Sequence, residues 1–217
     1  MLEPMPWIAW IVIAYIAGSI PFGVLIARSK GVDIRSVGSG NPGATNVGRT
    51  LGRRFGILCF LLDTTKGAVP VLLAGWSRGV LGDDLGTLQP TDAWWWLGIA
   101  AAAILGHCFS PWLGFKGGKG VATAFGGMLS MWPVLTISVL LALAVWAVLL
   151  VASRMMSLAS MGGAVALPVI ILTQVIQSGE LAPGIPFLVV SGLLGGFVVF
   201  RHRGNIARII SGQEPRA

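Results

Sequence analysis

The feature that most constrains the fold is a series of seven apolar segments, each separated from the next by a short polar or turn-forming stretch. Mean hydropathy is +0.83, and only 11% of the 217 residues are charged. These values exclude a water-soluble globular domain, and segments of this length predict membrane-spanning helices. The predicted spans are Trp7–Ala27, Phe55–Gly75, Trp94–Leu113, Val121–Met131, Val134–Ala152, Leu158–Ile176 and Pro186–Phe200.

The stretch from Val121 to Ala152 has two interpretations: one long helix, or two spans that turn at Trp132 and Pro133. Basic residues of membrane proteins concentrate on the cytoplasmic side. Counting one span would move Arg154 and the basic C-terminal tail to the outer side, so we count two. The cations then assigned to the cytoplasmic side are Arg28, Lys30, Arg35, Arg49, Arg53, Arg54, Lys116, Lys119, Arg154, Arg201, Arg203, Arg208 and Arg216.

The sequence therefore predicts an all-α integral membrane protein, a bundle of seven transmembrane helices in a single domain over residues 1–217. The N-terminus is expected outside and the C-terminus in the cytoplasm. The fourth span is about a dozen residues, or roughly 18 Å, which is too short to cross the hydrocarbon core unaided. The outer side keeps one cation, Arg78, and the acidic residues Glu3, Asp83, Asp84, Asp92 and Glu180.

The net charge of +7 does not indicate nucleic-acid binding, because the basic residues border apolar spans, where they meet anionic lipid headgroups. Cys59 and Cys108 lie in apolar segments, so no disulfide framework is predicted. His107 has no visible set of further metal ligands around it, and two histidines with two cysteines do not form a convincing zinc site. We expect neither a metal nor a cofactor.

Four patches of small, hydroxyl, amide and basic residues interrupt the chain at the ends of the apolar segments. The predicted topology places all four on the cytoplasmic side. Glycines free backbone N–H groups, hydroxyls and amides orient a ligand, and cations neutralise charge, which together suit bound phosphate. The patches are Ser39–Asn46, Gly117–Thr123, Arg154–Ser160 and Arg201–Arg208.

The first patch has two interpretations. A polar turn that caps the second span needs only one residue, such as Thr45 or Asn46. Several polar residues are packed together here, which favours anion binding over capping. The candidate ligands are Ser39, Gly40, Asn41, Thr45, Asn46 and Arg49.

The second patch opens the fourth span and resembles a nucleotide phosphate loop only superficially. The glycine spacing differs, Gly120 stands where a magnesium-binding Ser or Thr would, and no strand precedes the segment. What remains is a helix N-terminus beside Lys119, which suits an anion. The alternative is that the lysines only anchor the helix end at the lipid headgroups.

The third and fourth patches also allow two interpretations each. Ser157 and Ser160 begin the sixth span and can be ordinary helix caps. His202, Asn205 and Arg208 share one face if the last helix continues through them, and His202 is then a candidate acid, base or phosphate donor. The alternative for this last segment is a basic, lipid-facing tail.

Asp63 and Lys66 lie one turn apart inside the second span, where ionisable groups are costly. We expect them to neutralise each other or to face the bundle interior, and both a structural and a site-supporting role are open. A transporter for a phosphorylated anion is disfavoured, because its polar groups would lie near the bilayer midplane.

Together these motifs resemble the bacterial acyl-phosphate-dependent glycerol-3-phosphate acyltransferases, the PlsY family. The resemblance covers nearly the whole chain, and the order and spacing of its motifs are specific. The motifs are Gly18–Gly23, Gly38–Asn46, Leu62–Gly67, Gly106–His107, Phe115–Thr123, Ser157–Ser160 and His202–Arg208 through Gly212 and Glu214.

The resemblance implies an integral enzyme of the bacterial inner membrane with its active site at the cytoplasmic side. Such an enzyme transfers a fatty acyl group from acyl phosphate to the sn-1 hydroxyl of glycerol 3-phosphate, giving lysophosphatidic acid and phosphate. The lipid bilayer and an upstream acyl-phosphate-forming enzyme are the expected partners. The family lacks the His-x-x-x-x-Asp motif of acyl-CoA-using enzymes, and here Trp112 and Ala207 stand fifth after the two histidines.

Carried over motif by motif, the resemblance makes Lys119, Ser157 and His202 catalytic candidates. Arg49 and Lys119 would neutralise phosphate, whereas Ser157, His202 and Asn205 would position glycerol 3-phosphate. Direct attack by the glycerol hydroxyl is favoured over an acyl-enzyme, because no hydroxyl of the chain has an obvious base and orienting carboxylate. The other candidate substrate-binding residues are Ser39, Gly40, Asn41, Thr45, Asn46 and Arg208.

Overall fold

The computed structural model describes residues 5–216, and within that range every regular element is helical. Glu3, which the sequence assigned to the outer side, lies outside the described residues. A short 3₁₀ helix covers Pro111–Leu113. The α-helices are α1 Trp7–Ser19, α2 Phe22–Arg28, α3 Ala44–Leu51, α4 Arg53–Ser77, α5 Pro90–Cys108, α6 Val121–Leu129, α7 Thr136–Ser153, α8 Met156–Ser178, α9 Leu181–Arg201 and α10 Arg203–Ile210.

Six helical stretches among the described residues are long and apolar enough to cross a membrane. They correspond to six of the seven predicted spans, which confirms a multi-pass membrane protein. The predicted fourth span is α6, whose nine residues are too few to span a bilayer alone, so the count of seven stays a prediction. The six stretches are Trp7–Arg28, Arg53–Ser77, Pro90–Leu113, Thr136–Ser153, Met156–Ser178 and Leu181–Arg201.

The segment from Val121 to Ala152 forms two helices rather than one, as the charge distribution predicted. Helix α6 ends at Leu129 and α7 begins at Thr136. Pro133 lies in the intervening turn, and a proline has no N–H group to donate to a continuous helix.

The first predicted span differs from the structure, because it is interrupted. Helix α1 ends at Ser19 and α2 begins at Phe22. Ile20 has an extended conformation, with ψ of 120°, because the Pro21 ring disfavours helical geometry in the preceding residue. The short helix α3 was also not predicted, since hydropathy does not mark a polar helix of eight residues.

The described chain divides into two compact units. The first contains residues 5–79 and 98–130, and in it α4 packs closely against α6. A Cβ atom added at Gly67 would meet the carbonyl oxygen of Thr123, and one added at Gly126 would meet the α4 backbone. Glycine therefore permits the close approach of these two helices, as small residues do in membrane bundles.

The second unit contains residues 80–97 and 131–216, and its core is formed by α7, α8 and α9 in succession. The Ser138 hydroxyl donates to Gln174 Oε1 at 2.6 Å, which links α7 to α8 inside the apolar layer. Gly195 on α9 lies against the α8 backbone, where a Cβ would collide. The single-domain organisation stays a prediction.

Candidate active site

The side chain of Asn46 holds the loop that precedes α3. Its Oδ1 accepts the N–H of Ser39 at 3.0 Å, and its Nδ2 donates to the carbonyl oxygens of Ile34 and Val37, both at 3.1 Å. Asn46 is buried. Its buried amide therefore fixes the backbone conformation of the first patch. Direct contact of Asn46 with phosphate stays a prediction.

Backbone geometry at the first patch depends on glycine and an asparagine turn. Gly38 and Gly40 have φ of 59° and 66°, the left-handed region that other residues rarely adopt. Asn41 Oδ1 accepts the N–H of Gly43 at 2.9 Å. Around this loop Ser39 is exposed and Gly40 is half-buried.

The capping interpretation of the first patch is wrong. Gly43 is the N-cap of α3 and Gly52 that of α4, so Thr45 and Asn46 both lie inside α3. Thr45 is half-buried and Arg49, one turn later on the same helix, is exposed. Arg49 is thus accessible to an anion in solution.

The second patch opens α6, as predicted, and it folds back onto the end of α5. The N–H of Gly117 donates to the carbonyl of Cys108 at 3.0 Å, and that of Gly118 donates to the carbonyl of His107 at 3.2 Å. Gly120 is the N-cap of α6, with φ of 83°. These constraints position Lys119, which is half-buried, at the N-terminus of the helix.

Asp63 and Lys66 neutralise each other, as the sequence indicated. Lys66 Nζ lies 2.7 Å from Asp63 Oδ1 and also donates to the carbonyl of Ile20 at 2.7 Å, at the break between α1 and α2. His107 adds a third ionisable group, with Nδ1 3.7 Å from Asp63 Oδ1. The sequence did not predict that His107 lies beside this pair. All three side chains are buried.

The third and fourth patches converge on Glu214, a residue to which the sequence assigned no role. Glu214 Oε1 accepts from the Ser157 hydroxyl and from Asn205 Nδ2, both at 2.6 Å. Glu214 Oε2 accepts from Arg208 Nε at 2.8 Å. The buried carboxylate therefore fixes the three polar side chains relative to one another.

Burial raises the pKa of the Glu214 carboxyl, but its hydrogen bonds from Ser157, Asn205 and Arg208 lower it further than burial raises it. The net effect is a pKa below the usual range of a glutamate. Glu214 is therefore ionised at neutral pH and accepts all three hydrogen bonds.

His202 lies between α9 and α10 rather than inside a continuous helix, so the predicted continuation is wrong at this residue. The side chain is buried, and its Nδ1 lies 2.7 Å from the carbonyl oxygen of Val198. Because a carbonyl oxygen only accepts, Nδ1 carries a proton. Nε2 is then the unprotonated nitrogen of the neutral ring. Asn205 and Arg208 do share a face, since both reach Glu214.

The capping interpretation of the third patch is also wrong. Met155 is the N-cap of α8, and Ser160 donates to the Met156 carbonyl within the helix. Ser157 instead reaches Glu214. The sequence signal for Glu214 was its place at the end of the last motif. Its contacts could not be predicted, because an acidic residue in a basic tail has several possible charge partners.

The structure thus forms two sets of candidate residues, one in each compact unit. In the first unit, Asn46 holds Ser39 and the α3 loop, while Lys119 immediately precedes the N-cap of α6. In the second unit, Ser157, Asn205 and Arg208 surround Glu214. Each set brings together a cation with hydroxyl or amide groups, the residue types that bind phosphate esters in proteins.

Comparisons with known proteins agree with this chemistry. The family model described as glycerol-3-phosphate acyltransferase matches residues 8–212. The glycerol-3-phosphate acyltransferase of Trichlorobacter lovleyi is 43% identical over 208 residues, covering 95% of each chain. That of Aquifex aeolicus is 38% identical over 208 residues, covering 95% of this chain and 96% of the relative.

Two solved structures are also similar to the chain. One is PlsY, an integral membrane glycerol 3-phosphate acyltransferase, in its glycerol 3-phosphate form, with a TM-score of 0.82 and 37% identity over 97% of this chain and 95% of that chain. The lysophosphatidic acid form gives a TM-score of 0.79 and 36% identity, over 97% and 94% of the two chains.

Replacing Glu214 with glutamine should lower the apparent melting temperature in detergent at neutral pH, because the amide keeps an acceptor oxygen but loses the charge that pairs with Arg208. The folded-state pKa of Glu214 is lowered, so its contribution to stability is complete above the unfolded pKa of about 4.3 and is lost as pH falls through the folded value. The melting difference between parent and Glu214→Gln should therefore shrink below about pH 4.

The exposed Glu180 provides the matched control Glu180→Gln, for which little change is expected. A Glu214→Gln difference that stays constant down to about pH 3 would contradict this account.

Proposed function

The chain belongs to the glycerol-3-phosphate acyltransferase family, and we propose that it transfers a fatty acyl group from acyl phosphate to the sn-1 hydroxyl of glycerol 3-phosphate, releasing phosphate. Its product is lysophosphatidic acid, so the reaction is the first acylation step of phospholipid synthesis. The observation that carries this conclusion is the likeness, over 97% of the chain, to an acyltransferase solved in its glycerol 3-phosphate form.

Acyl phosphate is the donor that the residues favour. It is an activated mixed anhydride, so the enzyme has mainly to align two anionic headgroups and to stabilise developing charge. The motif typical of acyl-CoA-using enzymes is missing after both histidines, where Trp112 and Ala207 stand in place of its aspartate. No bound cofactor is needed for this chemistry.

In the first unit, we assign phosphate neutralisation to Arg49 and Lys119. Each cation comes after a glycine-rich loop, and the buried side chains of Asn46 and His107 lie against these loops. Lys119 adds its charge to the N-terminus of α6. The remaining residues of this phosphate site are Ser39, Gly40, Asn41, Thr45 and Asn46.

In the second unit, we assign the positioning of glycerol 3-phosphate to Ser157, His202 and Asn205, with Arg208 adding positive charge. The sn-1 oxygen forms a bond to the acyl carbon while the bond from that carbon to the phosphate oxygen breaks. The hydroxyl proton ends on the departing phosphate, either directly or through His202 Nε2. No hydroxyl of the protein needs to carry the acyl group.

The same proposal includes a placement in the bacterial inner membrane, with seven spans, the N-terminus outside and the active site at the cytoplasmic side. The cations that flank the spans support this orientation. Apolar grooves between the helices would hold the acyl chain. An upstream enzyme that forms acyl phosphate is the expected partner.

The direct test supplies purified protein with glycerol 3-phosphate and either acyl phosphate or acyl-CoA. Lysophosphatidic acid should form with acyl phosphate and release one phosphate per turnover. Equal or faster turnover with acyl-CoA, in an assay free of acyl phosphate, would rule out the proposed donor. No product with either donor would rule out the acyltransferase function.

The His202→Ala variant should remain folded, with turnover reduced by at least about tenfold, equivalent to about 1.4 kcal/mol of transition-state stabilisation. Asparagine and glutamine at this position separate the two roles, because an amide donates a hydrogen bond but is not a base near neutral pH. Rescue by either amide favours phosphate positioning, whereas failure of both favours proton transfer. A folded His202→Ala variant with parental kinetics would remove His202 from the mechanism.

The orientation can be tested with single cysteines at the exposed positions Ser36, Thr91 and Gln213. The native cysteines are buried and provide little background. In right-side-out vesicles, an impermeant maleimide should label Thr91→Cys and should leave Ser36→Cys and Gln213→Cys unlabelled until the membrane is permeabilised. Labelling of the last two in intact vesicles would overturn the topology.

A further inference from the structure

The buried imidazole of His107 bridges a charged group on α4 and the backbone of the second patch. On one side, Nδ1 lies 3.7 Å from Asp63 Oδ1. On the other side, the Nε2 edge of the ring lies against Gly118, where any added Cβ would collide with it. The ring therefore occupies the space between the Asp63 carboxylate and the loop that leads to Lys119.

We propose that Asp63 and His107 are positioning residues that hold the segment Gly117–Lys119 for phosphate binding. This inference rests on the proposed function, and it gives a role to a charged cluster that the reaction does not otherwise need. Neither side chain has to touch the substrate. Each acts through the backbone that carries Lys119.

The backbone contacts reinforce the position of the ring. The N–H groups of Gly117 and Gly118 donate to the carbonyls of Cys108 and His107, so the loop follows the end of α5 closely. The Asp63 carboxylate, 3.7 Å away, favours the tautomer that carries its proton on Nδ1, while the tight contact with Gly118 limits the orientation of the ring. Loop and ring then constrain each other.

Lys66 keeps the Asp63 charge compatible with burial. It pairs with the carboxylate at 2.7 Å and satisfies the Ile20 carbonyl at the same distance. Without it, Asp63 would be an unpaired charge inside a membrane span, which is strongly destabilising. Lys66 therefore supports the cluster without being part of the contact to Gly118.

The ring also leaves no room for a side chain at residue 118. A Cβ added there would meet Nε2, Cε1 and Cδ2 of the ring. A methyl group at residue 118 therefore has to displace either the ring or the loop. The sequence thus needs glycine at this position as long as histidine occupies position 107.

A double-mutant cycle over His107→Ala and Gly118→Ala tests this coupling, with Lys119→Ala as the reference. Each of the three single variants should raise the KM for the same substrate, by about tenfold, because each disturbs the same phosphate contact. The double variant His107→Ala/Gly118→Ala should be no worse than His107→Ala, because removal of the ring makes room for the new methyl group.

Ser138→Ala is the matched control, since it removes a buried hydrogen bond inside the apolar layer of the second unit. It should leave both KM values unchanged even if it lowers the melting temperature. If His107→Ala does not purify as folded protein, His107→Gln replaces it, because the flexible glutamine can move away from the methyl group introduced by Gly118→Ala and should give the same non-additivity.

The inference would be overturned if the KM increases of the two single variants multiplied in the double variant. It would also be overturned if His107→Ala or Gly118→Ala raised the KM for a substrate other than the one affected by Lys119→Ala. A folded His107→Ala or His107→Gln variant with parental KM values would overturn it too. The parent enzyme separates the two claims: if it forms no lysophosphatidic acid, the proposed function fails, whereas an active parent with unaffected variants removes only the positioning role.

Discussion

The structure depends on one constraint: backbone groups freed at a helix break cannot be satisfied by hydrocarbon and need a partner within the protein. At the break between α1 and α2, Lys66 donates to the Ile20 carbonyl and Ser110 donates to the Ser19 carbonyl. Before α3, in a loop outside the apolar spans, the buried Asn46 amide satisfies two further backbone carbonyls. Specific buried side chains therefore satisfy the backbone at both places.

Each compact unit buries a carboxylate, and donors surround each one. Asp63 has Lys66 and His107 beside it, and Glu214 accepts from three side chains. A buried charge with all of its partners is tolerated, whereas removal of one partner leaves an uncompensated charge. A fully satisfied buried network of this kind makes the structure around it rigid.

Hydropathy and charge were sufficient to predict the apolar spans and the turn before α7, because both depend on properties summed over many residues. They did not reveal the break at Pro21, since a single proline hardly changes the hydropathy of its segment. Asp63 and Lys66 could be paired from their helical spacing. His107 and Glu214 could not be placed, because His107 meets Asp63 of another helix and Glu214 reaches Ser157 at the start of α8. Tertiary contacts of that kind have no period in the sequence.

In the first unit, burial distinguishes the two candidate cations from the side chains that hold the loops around them. Arg49 is exposed and Lys119 is half-buried, whereas Asn46 and His107 are buried. In the second unit, the candidates Ser157, His202 and Asn205 are themselves buried. Charged groups near water can meet a soluble phosphate ester without a large cost in desolvation. A loop that Asn46 and His107 already hold in place would lose less conformational entropy when a ligand binds to it. The proposed reaction with an activated acyl donor needs such held binding groups more than it needs a strong catalytic base, because alignment of two bound headgroups supplies much of the rate.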